Sequence, residues 1–164
     1  MINSFPILPN SSKFGSVLKF FFIDVNDVLE EPEIFENKVM GNYTFKAGKN
    51  LLIGYFDKDT AKLDFTDSSD NKGKLIKNNF SGTIYQSDIE LTNLFCEMRN
   101  RRYIVFIADF NKKVRVIGRL NAGAIFSFNF STNKKIEDSP NLDFKFTYES
   151  ACCVPVTTQI IDLC

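Results

Sequence analysis

The chain has 164 residues, 44% of them apolar, and its 20 basic and 20 acidic side chains cancel. That length suits one domain that buries its core without covalent staples, and zero net charge argues against a dedicated nucleic-acid binder. With no histidine, Ser-His-Asp, Cys-His and histidine-ligated metal sites are excluded; with no tryptophan, the usual strongest aromatic platform is missing.

Residues 1–15, broken by Pro6, Pro9 and Gly15, read as an N-terminal arm. They show no basic stretch followed by an apolar one, so no leader is expected, and no apolar run is long enough to span a bilayer. Residues 16–150 read as one β-sandwich domain. Val17 to Ile23 opens it as an apolar strand, and Phe20, Phe21 and Phe22 in succession cannot all face one side, so the strand is covered on both faces or packs on a partner. An acidic connector follows, carrying Asp24, Asp27, Glu30, Glu31, Glu33 and Glu36 with no basic residue among them. Pro32 argues against a long helix there.

From Tyr43 the period is two, as half-buried antiparallel strands demand. Tyr43, Phe45 and Ala47 share a face, and Leu63 and Phe65 alternate with polar neighbours. The polar stretch Asp67 to Asn79 reads as a long hairpin loop. It resembles a calcium loop only faintly, because Asn78 stands where the twelfth-position glutamate belongs. Ser87 to Glu90 has the form of a capping box, and Leu91, Leu94, Phe95 and Met98 follow at helical spacing, which predicts one amphipathic helix over about 88–99. Tyr103 to Ala108 is unbroken apolar and reads as a central strand covered on both faces. Asp109 to Lys112 turns the chain. Phe126, Phe128 and Phe130, then Leu142, Phe144, Phe146 and Tyr148, mark two further strands with the phenylalanines in the core. Residues 151–164 read as a tail or last edge strand. The fold class expected is mainly β: an antiparallel sandwich or barrel with one helix packed on it.

No catalytic, metal or cofactor set emerges. No glycine run forms a phosphate loop, and nothing places a carboxylate pair in a dry cleft. Cys96, Cys152, Cys153 and Cys164 lack metal or redox spacing and are expected to be reduced. A basic cluster is more informative. Arg99, Arg101, Arg102, Lys112, Lys113, Arg115 and Arg119 face only Glu97 and Asp109 over that stretch, so the rest of a neutral chain is acidic by the same excess. Such a division suits head-to-tail contact between copies, or a basic surface near a DNA backbone. Ordinary solvated faces are the plain alternative.

Several stretches together resemble structural proteins of phages and prophages of Bacteroides-like bacteria. These are Val17 to Pro32 (VLKFFFIDVNDVLEEP), the segment GYFDKDTAKLDF within Asn42 to Phe65, Leu91 to Gly118 (LTNLFCEMRNRRYIVFIADFNKKVRVIG) and Gly123 to Thr132 (GAIFSFNFST). The likeness runs over roughly residues 17–150; Asn111-Lys112 departs from it at a turn, and the tail from Cys152 departs at the end. The resemblance implies a tail-tube-like sandwich in a crAss-like phage virion: a non-enzymatic ring or tube subunit of the neck or tail, made in the host cytoplasm. It would contact copies of itself and portal, adaptor or tail proteins around the DNA channel, with no membrane and no cofactor. The alternative is a β-sandwich module that attaches to host-surface glycans or proteins, with Tyr43, Tyr55 and Tyr85 as candidate platforms.

Overall fold

The computed structural model describes residues 17–57, 59–70, 73–85, 89–109, 113–131, 140–151 and 155–157. The N-terminal arm, the capping residues Ser87 and Asp88, the turn residues Phe110 to Lys112, and Cys152, Cys153 and Cys164 lie outside them.

The molecule is built on two central strands, β1 (Val17–Asp24) and β9 (Arg102–Asp109), paired antiparallel. Each is apolar on both sides, and the structure uses both sides. Phe20 and Phe22, with Val105 and Ile107, enter one core; Phe21 and Ile23, with Ile104 and Phe106, enter a second. β6 (Leu52–Gly54) borders β1, and β10 (Val114–Ile117) borders β9 on its far side. Beyond β10 the sheet continues through β13 (Val156–Thr157), β4 (Lys38–Met40) and β3 (Glu33–Phe35). The tail strand β13 therefore sits inside the sheet rather than at its edge, and its pairing with β4 is parallel.

The second wall comprises β11 (Ala124–Ser131), β12 (Asn141–Ser150), β8 (Gly73–Ile84) and β7 (Lys62–Asp70). The start of β11 bonds to β9, at Ala124↔Tyr103 and Ile125↔Arg102, and the rest bonds to β12, so one curled sheet forms both walls. Gly118 makes this handover possible. It holds φ +89, a conformation that disfavours any Cβ, and a Cβ there would overlap the Tyr103 carbonyl oxygen and crowd the Ala124 amide. The principal core between the walls is aromatic. Phe20 meets Phe80 at 4.9 Å and Phe144 at 5.4 Å, and Phe126 meets Phe146 at 5.0 Å between ring centroids. Each such pair adds about 0.5–1.5 kcal/mol beyond burial.

The predicted helix is present as α1 (Ile89–Met98). Leu91, Phe95 and Met98 are buried, and Leu94 packs beside them. The fold is thus mainly β with one helix on a curled sheet, as the sequence pattern requires. The second core is capped by the connector, folded as a 3-10 turn (Val25–Asp27) and short strands, among them β2 (Val28–Glu30) paired with β5 (Thr44–Phe45). Val28, Val39 and Tyr43 supply its buried side chains.

Two expectations need correction. Of the expected loop Asp67 to Asn79, residues 67–70 and 73–79 are strand, and Asn71 and Lys72 lie outside the described residues: β7 and β8 pair from Lys62↔Ser81 to Asp70↔Gly73, and the last three pairs reach beyond Ile76↔Ser150, where β8 leaves β12. Phe130 is not core. It is 46% exposed, because β11 runs past the part of the wall that α1 covers, while Phe126 stays fully buried and Phe128 half-buried against Phe95.

Candidate functional site

The acidic and basic clusters meet within one chain at two points. Asp24, buried at the end of β1, caps the 3-10 turn by accepting the Asn26 amide at 2.9 Å, and the Arg101 guanidinium donates to it at 3.3 Å. Glu31 holds Arg119 at 2.6 Å and accepts the Leu120 backbone amide at 3.0 Å. These contacts tie the connector to the tight turn at Arg119↔Ala122 and to the end of α1. A third acid, Asp27, pairs with Lys49 at 3.0 Å. Half of the acidic cluster thus serves the chain's own fold, so the charge division expected from the sequence narrows to the remainder.

The remainder is well defined. Glu30, Glu33 and Glu36 are exposed on the connector, and Arg99, Arg102 and Lys113 are exposed elsewhere. Arg115 is half-buried with its guanidinium 5.9 Å from the centre of the Phe65 ring. Lys112 lies outside the described residues.

The β3–β4 hairpin adds a feature that composition hides. Ile34 and Val39 pair and turn inward, while Phe35, paired with Lys38, and Met40, paired with Glu33, turn outward. Phe35 is 64% and Met40 60% exposed, and Leu29, on β2 of the separate two-stranded sheet, is 59% exposed. Sequence reasoning saw only the acids here. The signal was Glu33-Ile34-Phe35, one turn of strand alternation too short to assign a face. β3 bonds to β4 alone among the described strands, which leaves its other edge open.

The tyrosine platforms separate. Tyr43 is core, and burial, with the Glu31 charge second, raises its phenol far above the ordinary range. Tyr55 is half-buried and donates to Asp57 at 3.1 Å. Tyr85 alone of the three is exposed. Among the described residues no group of three or more cysteine, aspartate and glutamate side chains could hold a metal ion, and no helix is long and apolar enough to cross a membrane. Cys96 is an exposed free thiol.

No protein-family model matches the chain, and neither a curated protein nor a solved structure shows significant similarity to it.

Proposed function

We propose that the protein is a virion structural component, the repeating subunit of a ring or tube in the neck or tail of a phage, around the channel that DNA traverses. The observation that carries this reading is the β3–β4 hairpin. The open-edged strand β3 bears the outward Phe35 and its partner β4 the outward Met40, two large apolar side chains among Glu30, Glu33 and Glu36. Exposed apolar surface rimmed by charge marks a protein contact, and an open edge is a template for a neighbouring chain. Arg99, Arg102 and Lys113, exposed and separate in sequence, supply the opposite charge for a heterologous, ring-closing contact. The protruding end of the β7–β8 hairpin gives a second element with reach. The sequence resemblance supplies the virion setting.

Electron microscopy of the purified full chain, with mass spectrometry of purified virions, tests the reading. Closed rings or stacked tubes and presence in the particle are expected. Isolated monomers, or a particle without the protein, would contradict it.

A further inference from the structure

The outer face of the second wall carries a groove of about 410 Å³, lined by Thr60, Ser81, Thr83, Ser127, Asn129, Asp143 and Lys145 among others. Binding sites for small ligands begin at about 300 Å³. The strand register makes this a built surface. Asn129, Asp143 and Thr83 form one row across β11, β12 and β8, and Ser127, Lys145 and Ser81 form the next. Each of the six lies next to a residue of its own strand that faces the core or its margin (Phe126 and Phe128 on β11, Leu142, Phe144 and Phe146 on β12, Phe80, Gly82 and Ile84 on β8), so they share the outward face. Four of the positions around Asp143 and Lys145 carry short hydroxyl or amide side chains, which leaves the space open.

The groove is rigid before any ligand arrives. Thr60 Oγ1 donates to the Asp57 carbonyl at 2.7 Å and accepts the Thr83 amide at 3.1 Å, and the Asp57 amide donates to the Thr83 carbonyl at 2.9 Å. This locks Asp57 and Thr60 against the edge of β8 as a side wall. Thr83 Oγ1 donates to Asp143 Oδ1 at 2.6 Å and so fixes the carboxylate, while Asn141 approaches Oδ2 only at 3.4 Å. Lys145 forms no ion pair among the described residues.

We infer that this groove binds a saccharide bearing a carboxylate, of the uronic-acid class. Asp143 accepts from ligand hydroxyls, the serine and threonine hydroxyls and the Asn129 amide bond a polyol in both senses, and Lys145 pairs with one negative charge. A phosphate dianion is disfavoured, because a single cation faces it and Asp143 stands two residues away on the same strand face. The inference is independent of the assembly reading, since it needs only the folded chain.

Calorimetric titration of the full chain with a galacturonic acid tetrasaccharide and a neutral galactose tetrasaccharide tests it. The acidic sugar should bind about tenfold more tightly, as one charge-assisted bond provides. Lys145→Gln should abolish that preference, bringing the acidic sugar's affinity down to the neutral sugar's, and Asp143→Asn should weaken both sugars about tenfold or more. Thermal unfolding of each variant confirms that the fold is retained, and Glu33→Gln, outside the groove, should match the wild type. Absence of binding by the acidic sugar at about 1 mM, or full affinity in a folded Asp143→Asn, Lys145→Gln double variant, would overturn the inference.

Discussion

The phenols of Tyr43 and Tyr103 are both pushed far above their ordinary value near 10, chiefly by burial, with the nearby charges of Glu31 and Asp24 adding to it. Tyr103 is further held by donating to the Met98 carbonyl at 3.3 Å, which joins the end of α1 to β9. A raised acid in the folded state means that the neutral form stabilises the fold. That stability is complete below the unfolded-state value near 10 and is lost as pH rises above it. Urea unfolding should therefore show a falling midpoint from about pH 10 upward, with tyrosinate absorbance of two residues appearing only as the chain unfolds. A constant midpoint up to about pH 11.5 would contradict this. Gly118 gives a second test at the same scale. Gly118→Ala combines a left-handed backbone with a clash against Tyr103, and should cost about 3 kcal/mol by chemical denaturation. A cost near zero would mean that β10 and β11 share the edge of β9 more loosely than described. Asp24→Asn should cost about 1–2 kcal/mol in the same assay, because the Asn26 amide and Arg101 lose a charged acceptor.

Among the elements, α1 and the central strands were the most legible in the sequence, and for one reason. Their apolar residues recur at a period that belongs to a single geometry: Leu91, Leu94, Phe95 and Met98 to a helix face, Tyr103 to Ala108 to a doubly covered strand. Phe95 is the helix's anchor, its ring 5.0 Å from Phe126 and 6.1 Å from Phe144. Phe95→Ala should lose about 3–5 kcal/mol, read from the shift in urea midpoint, whereas Leu94→Ala, at the margin of the core, should lose less. The β7–β8 arm was not legible. Past Phe65 its strands carry Thr66, Asp67, Lys77 and Asn79, and the buried residue opposite Tyr148 is the polar Asn78, so apolar alternation does not mark them. The connector was half legible: Pro32 excluded a long helix, but strands of two or three residues are too short for periodicity to register.

At the scale of the whole molecule, the sequence showed two opposite charge clusters but not which members meet. Asp24 is 77 positions from Arg101, and Glu31 is 88 from Arg119, so only the fold pairs them. The pairing removes the most buried acids from any external role and leaves an acidic, apolar hairpin at one place and the exposed Arg99 and Arg102 at another. Salt should thus weaken contacts between copies, because the remaining charges are exposed and screened over about 10 Å at 0.1 M. In the proposed assembly the apolar part of the contact falls on one hairpin, with Phe35 outward on the edge strand β3 and Met40 outward on its partner β4. The most direct measurement is native mass spectrometry of the full chain beside a Phe35→Lys, Met40→Lys variant, with circular dichroism to confirm an unchanged fold. The account predicts a closed oligomer for the wild type and a monomer for the variant; a wild-type monomer, or an oligomer indifferent to both substitutions, would contradict it.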